Sequence, residues 1–394
     1  MSNIPASAQP LPDWYQKDDL TYIFNQLRAG EFCSLIGMGS TGKSNLVNLV
    51  ARDDVKLKYL PREEAMTQVI VLLNPHLLIG LSDNALHHTG RAWSGYEMMI
   101  NRLLRKLMSP PFSPWLTASG HGDVIANITK NYYTSLFDKL PALAQTGVRQ
   151  LESAIYDVLA LGDAWRVTFI FDEFEQFIAQ LPPHFFQSLR GLRDEYKGRI
   201  SYVTTSRRTL WEITKEVYPE ERDQLVMESF VELFNGSIRY VSPLDLESAN
   251  ESVRRLEERY SKQSPSGKIA LGGALPLPAQ ARANLIAVTG GHAGLLRRGF
   301  VPTMKNPQIA ADSGRLIAEL LDNRGISDEC AVIIRSLSVE ERRALRQLLD
   351  KQPVTDVEAM QSLIDKHIIY DDGGQKFWRI PLLAGWARKH ENEL

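Results

Sequence analysis

The sequence predicts an α/β fold in which a parallel sheet is wrapped by helices, followed by a smaller helical region and a C-terminal unit of three helices and a hairpin. Three observations lead there. Short apolar runs at Phe32–Ile36, Gln68–Leu73, Val167–Phe171 and Ile200–Thr204 alternate with helix-periodic stretches, as expected of strands buried on both faces of a parallel sheet. A glycine-rich turn, Gly37-Met38-Gly39-Ser40-Thr41-Gly42-Lys43-Ser44, follows the first run directly and leads into the helix-like Asn45–Val50. From Asp328 onward, three helical patterns run into two short β segments around Asp371-Asp372-Gly373-Gly374.

The elements follow in order. After a proline-bearing lead-in (Pro5, Pro10, Pro12), Asp18–Arg28 places Leu20, Ile23, Phe24 and Leu27 on one helical face and stops at Gly30. Ser237–Val241 supplies a fifth strand, and helices are predicted at Trp93–Met108, Val148–Leu161 and His184–Tyr196. The interval between the second and third strands, with Pro110, Pro111 and Pro114, is long enough to hold a helical insertion at about residues 82–160. Beyond the sheet, Leu244–Tyr260 is helical, Ser264–Pro278 is a Gly/Pro-rich loop, and helices resume at Ala279–Val288, Gly294–Phe300 and Pro307–Asn323. The last helices are Asp328–Leu337, Ser338–Leu349 (Ser338 capping, with Glu341 three residues on) and Asp356–His367; a short one at Pro381–His390 follows the hairpin. The domain expectation is a lead-in at 1–13, an α/β domain at 14–242, a helical lid at 243–324 and a winged helix at 325–394.

Composition is that of an ordinary globular chain: 394 residues, 44% hydrophobic, 23% charged, with 45 basic against 47 acidic side chains. A net charge of −2 neither requires nor excludes a nucleic-acid partner. Cys33 and Cys330 have no metal-like spacing and fit a reducing compartment, so a cytoplasmic location is expected. The Met1–Pro5 start lacks the basic and apolar regions of a secretion signal, and no apolar run approaches a membrane span.

The glycine turn matches the phosphate-loop pattern G-x-x-x-x-G-K-[ST] in its required strand–loop–helix setting. Gly37, Gly39, Ser40, Thr41, Gly42 and Asn45 form and flank a cradle of backbone N–H groups. Lys43 reaches the β/γ-phosphates of a nucleoside triphosphate, and the Ser44 hydroxyl ligates Mg²⁺. The predicted third strand ends Phe171-Asp172-Glu173, an apolar run followed by two acids. There Asp172 is placed to hold Mg²⁺ and Glu173 to polarise the attacking water. The fourth strand continues Thr204-Thr205-Ser206-Arg207-Arg208, bringing a hydroxyl at Thr205 and a guanidinium at Arg207 to the same sheet edge, where they can meet the γ-phosphate. The alternative at this strand end is a Ser/Thr cap on the next helix beside a surface arginine.

Together with Gly290-Gly291-His292-Ala293-Gly294-Leu295-Leu296 and the winged-helix pattern, these motifs resemble the STAND branch of AAA+-related ATPases, close to the origin-recognition type, over most of residues 18–394. The resemblance implies a P-loop NTPase fold with a helical lid and a winged helix, binding ATP–Mg²⁺ through Lys43, Ser44, Asp172, Glu173 and Arg207. It also implies adenine or phosphate recognition by the glycine turn, making His292 and Arg297 candidates, although Ala293 stands where the family has proline. The expectation is an ATPase that hydrolyses slowly and switches its assembly with a separate effector or partner protein according to ATP or ADP, with a homo-oligomer allowed and no membrane role. Such relatives occur in bacterial defence and signalling modules. The alternative is an origin-recognition or transposition-type ATPase assembling on DNA. It is not favoured, because residues 325–394 carry 10 basic and 12 acidic side chains and the candidate recognition helix has more acids than bases.

Overall fold

The structure, a computed structural model, describes residues 10–78, 89–133, 147–262 and 275–394. The first nine residues of the lead-in, parts of the expected insertion and most of the Gly/Pro-rich loop lie outside these described residues. The chain divides into two compact units, Met1–Leu35 with Ser44–Arg239, and Ile36–Lys43 with Tyr240–Leu394.

The first unit opens with α1 (Lys17–Ala29), which buries Leu20, Ile23, Phe24 and Leu27 and ends at Gly30 with φ 73°. Then come β1 (Cys33–Ile36), α2 (Lys43–Val50), α3 (Asp53–Tyr59), α4 (Arg62–Thr67), β2 (Gln68–Leu73), α5 (Thr89–Leu107), α6 (Phe112–Ala118), α7 (Asp123–Asn127) and α8 (Gly147–Leu159). β3 (Arg166–Phe171), α9 (Phe174–Gln180), α10 (Pro183–Glu195), β4 (Ile200–Ser206), α11 (Leu210–Val217), α12 (Glu221–Val231) and β5 (Ile238–Tyr240) complete the α/β region. The five strands form one parallel sheet in the order β2-β3-β4-β1-β5. Gln68 pairs with Arg166 and Phe171 with Thr204 at opposite ends of the β2–β3–β4 ladder.

Register is pinned from inside the sheet. Gln68 Nε2 donates to Thr168 Oγ1 at 2.7 Å, and Thr168 and Ser201 share a hydrogen bond at 2.8 Å, all three side chains being buried. A one-residue slip of any strand would strand these polar atoms in an apolar interior, at a cost of roughly 1–3 kcal/mol each. Around them lies an aromatic core in which Phe171 meets Phe174, Phe177 and Tyr202, while Phe230 stacks on Phe174. Helices α9, α11 and α12 had no sequence expectation behind them. α11 nevertheless carries a capping box, Thr209 with Glu212, that its sequence spells out.

In the second unit the elements are α13 (Leu246–Lys262), α14 (Ala279–Thr289), α15 (Ala293–Lys305), α16 (Ser313–Leu321), α17 (Arg324–Arg335), α18 (Val339–Leu349), α19 (Val357–Asp365), β6 (Ile369–Asp372), β7 (Gln375–Trp378) and α20 (Pro381–Lys389). The expected single helix at Pro307–Asn323 is instead a 3₁₀ turn at Ile309–Ala311 followed by α16. Asp312 causes the break: its backbone is extended and its carboxylate accepts from Arg315 N–H as an N-cap. α17–α19 and the β6–β7 hairpin reproduce the helix–helix–helix–hairpin order, with Gly373 and Gly374 both at positive φ in the two-residue turn. Ser338 and Glu341 form the anticipated capping box. Glu341 also accepts from buried Lys366 and from Ser362, tying α18 to α19.

Candidate functional site

The phosphate loop turns sharply between β1 and α2. Ser40 has φ 57° and Gly42 φ 111°, and the left-handed value is a strained one for serine. Its carbonyls are engaged one after another. Lys43 Nζ donates to Gly37 O at 2.6 Å and to Met38 O at 2.8 Å, and Thr41 Oγ1 donates to Met38 O at 3.0 Å. His292 Nε2 lies 2.9 Å from Gly39 O, and Gly294 N–H donates to Ser40 O at 2.9 Å. Lys43 is half-buried, while Ser44 and Asn45 are exposed at the start of α2.

His292 is fully buried and is the N-cap of α15. Its Nδ1 accepts from Leu295 N–H at 3.2 Å, which leaves the proton on Nε2 and makes that nitrogen the donor to Gly39 O. Burial pushes the imidazole pKa down to about 4, against the opposing pull of the Glu329 carboxylate. Glu329, on α17, is itself buried and accepts from Arg298 Nε at 2.7 Å. A Cβ on Gly294 would fall 2.5 Å from the Ser40 Cβ and 2.7 Å from Glu329 Oε1, so this position admits only glycine without a shift of its neighbours. Arg297 is exposed on the next turn.

At the other acidic segment, β3 ends in Phe171 and the chain turns through Asp172 and Glu173 into α9. Glu173 takes a left-handed backbone, φ 55°. Thr205, buried at the end of β4, holds this turn with one hydroxyl: Oγ1 donates to Asp172 Oδ1 at 2.7 Å and accepts from Glu173 N–H at 2.8 Å. The Glu173 carboxylate is half exposed and lies 3.3 Å from His76 Nε2. Arg207 is exposed, with Nε 3.6 Å from Glu175 Oε1.

The phosphate-loop residues thus occur in the strand–loop–helix setting that the pattern demands. Asp172, Glu173 and Thr205 come together on two adjacent strands. His76 and Glu329 had no place in the sequence reading. His76 carried a usable signal, since Asn74-Pro75-His76 follows β2 beside the strand that leads into Asp172, whereas nothing in the local sequence ties Glu329 to the loop. Among the described residues no group of three or more His, Cys, Asp or Glu side chains could hold a metal ion. The Asp172 carboxylate and the Ser44 hydroxyl are hard oxygen donors of the kind that Mg²⁺ takes. No helix among the described residues is long and apolar enough to cross a membrane.

An α/β phosphate-loop fold with a C-terminal helical region is therefore the class to which this architecture belongs. A Walker-type ATPase of Pyrococcus abyssi is similar in fold, with a TM-score of 0.50 and 15% identity over 95% of both chains. Cdc6p from Pyrobaculum aerophilum aligns with a TM-score of 0.41 and 14% identity over 98% of this chain and 97% of that one. The Orc1 protein of Aeropyrum pernix, solved in complex with DNA, gives 0.38 and 12% over 99% and 86%. At 15% identity the likeness to the Pyrococcus abyssi ATPase is one of fold alone. A scan against protein-family models and a search of curated proteins find no match.

Proposed function

We propose that the chain is an ATP-binding, Mg²⁺-dependent ATPase of STAND/AAA+ type whose nucleotide state controls assembly with a separate partner protein. The observation that carries this reading is the Thr205 hydroxyl, which fixes a carboxylate and the following backbone N–H together at the end of β3. A merely solvated acidic turn has no need of a buried hydroxyl from the neighbouring strand. In this reading the loop's backbone N–H groups and Lys43 take the β/γ-phosphates, the Lys43 ammonium exchanging loop carbonyls for phosphate oxygens. Mg²⁺, when bound, neutralises phosphate charge; Ser44 and Asp172 are the residues that would hold it. Glu173 accepts the proton of the attacking water, and its contact with His76 keeps the carboxylate paired between turnovers. Arg207 and Thr205 are the residues at the end of β4 proposed to serve the γ-phosphate, and from the glycine turn Arg297 is proposed for adenine or phosphate recognition, with His292 acting through the loop carbonyl it holds.

The switch is tested with two variants. Lys43→Ala should weaken ATP binding by about tenfold or more, from the loss of roughly 1.5–3 kcal/mol of charge-assisted hydrogen bonding. Glu173→Gln should bind ATP while its hydrolysis falls by about 10²-fold or more, trapping the triphosphate state and whatever assembly it supports. Unchanged calorimetric affinity in the first variant would sink the site; wild-type turnover in the second would remove the base.

A further inference from the structure

Four consecutive carbonyls of the phosphate loop are taken, and the last two are taken from outside it, by the N-terminal turn of α15. In a trans peptide the C=O and the following N–H point in opposite directions. Turning Gly39 C=O toward His292 therefore turns Ser40 N–H away from α15, and turning Ser40 C=O toward Gly294 N–H does the same to Thr41 N–H. These are amides of the cradle itself. Ser40 sits between the two held peptides in a left-handed conformation that a serine keeps only where its surroundings enforce it. His292 suits this task in three respects. It is fully buried, its Leu295 contact fixes the tautomer that leaves Nε2 a donor, and its environment keeps the ring neutral.

We infer that the N-terminal turn of α15 is a clamp on the phosphate loop, in which the His292 side chain and the Gly294 N–H preset the Ser40 and Thr41 amides for phosphate, making His292 a positioning residue. This rests on the reading of the loop as a nucleotide site. It differs from base recognition by the same turn, because a clamp acts on phosphate whatever is attached to it. Glu329, packed beside Gly294, comes from α17 of the three-helix–hairpin segment, so that segment lines the clamp.

The discriminating variant is His292→Asn, because asparagine caps a helix as well as any residue but is too short to reach Gly39 O. Binding is measured on the full chain by calorimetry with ATP–Mg²⁺ and by competition with inorganic tripolyphosphate, which has no base. Loss of one hydrogen bond's worth of preorganisation should weaken both ligands by the same factor, about three- to tenfold, in a variant whose single cooperative urea transition shows it to be folded at the assay pH. Unchanged affinity for both ligands would overturn the clamp, and so would a loss confined to ATP, which assigns His292 to the base. If wild type binds neither ligand, the nucleotide reading falls and takes the clamp with it; if wild type binds and only His292→Asn is silent, the clamp alone falls. Should the asparagine variant not fold, His292→Gln is measured in its place, its longer amide carrying both an acceptor and a donor. It is expected to retain more affinity than His292→Ala, and equal affinities in those two variants would count against the clamp.

Discussion

Replacing Thr205 with valine removes one hydroxyl and almost no volume, yet that hydroxyl makes two hydrogen bonds at the end of β3. It donates to Asp172 Oδ1 at 2.7 Å and accepts from Glu173 N–H at 2.8 Å. A hydrogen bond to a charged group contributes roughly 1.5–3 kcal/mol and one to a neutral amide about 0.5–1.5 kcal/mol. Thr205 is buried, so water does not readily replace what is lost. If the bond to Asp172 and the left-handed turn at Glu173 hold both acids in their working positions, losing them should slow hydrolysis by about ten- to a hundredfold, since each 1.4 kcal/mol of transition-state alignment is a factor of about ten. ATP affinity should change much less, because the phosphate loop is untouched. Thr205→Ser, which keeps the oxygen, should recover most of the rate. The assay is single-turnover hydrolysis at saturating ATP–Mg²⁺, paired with calorimetric affinity for each variant. Wild-type turnover in Thr205→Val would refute the reasoning, and a fall in affinity with turnover intact would show that the hydroxyl serves phosphate directly.

Two further outcomes follow from the second unit. The fold holds His292 at a pKa of about 4, whereas the unfolded chain titrates near the ordinary 6.5, so between those values the unfolded state alone binds the proton. The His292 contribution is therefore complete above the upper value and lost as pH falls toward the lower one. About 2 kcal/mol of it is lost between about pH 7 and about pH 5, out of a full shift on the order of 3 kcal/mol, to be read as a drop in urea midpoint over that window that His292→Asn lessens. Gly291→Ala should destabilise the protein by about 2 kcal/mol or more by the same measurement. Its φ is 72°, and the new Cβ would lie 2.3 Å from the Leu244 carbonyl oxygen. An unaltered midpoint would mean that this turn can relax.

Much of the molecule was legible because its signals are local. Strands buried on both faces must be apolar throughout, so β2 could be read residue for residue and β3 within one position. The phosphate loop needs its glycines, lysine and hydroxyl consecutively. The Ser338–Glu341 box and the Gly373-Gly374 turn are fixed by backbone chemistry within four residues. What the sequence could not supply was partnership across the chain. Thr205 read as a phosphate contact with a helix cap as the alternative, and only pairing of β3 with β4 put its hydroxyl between Asp172 and the Glu173 amide. His292 read as a candidate for the nucleotide, but packing turned both its ring nitrogens to the backbone, one to its own helix and one to Gly39, 253 residues away. The break at Asp312 was missed because the apolar spacing on either side of it fits one long helix; the cap hydrogen bond decided otherwise. Periodicity and turn chemistry are properties of neighbours in sequence, so the chain by itself determines its elements and its phosphate loop. The direction in which a buried polar group points is set by whichever distant donor or acceptor satisfies it, and that only the tertiary structure could decide.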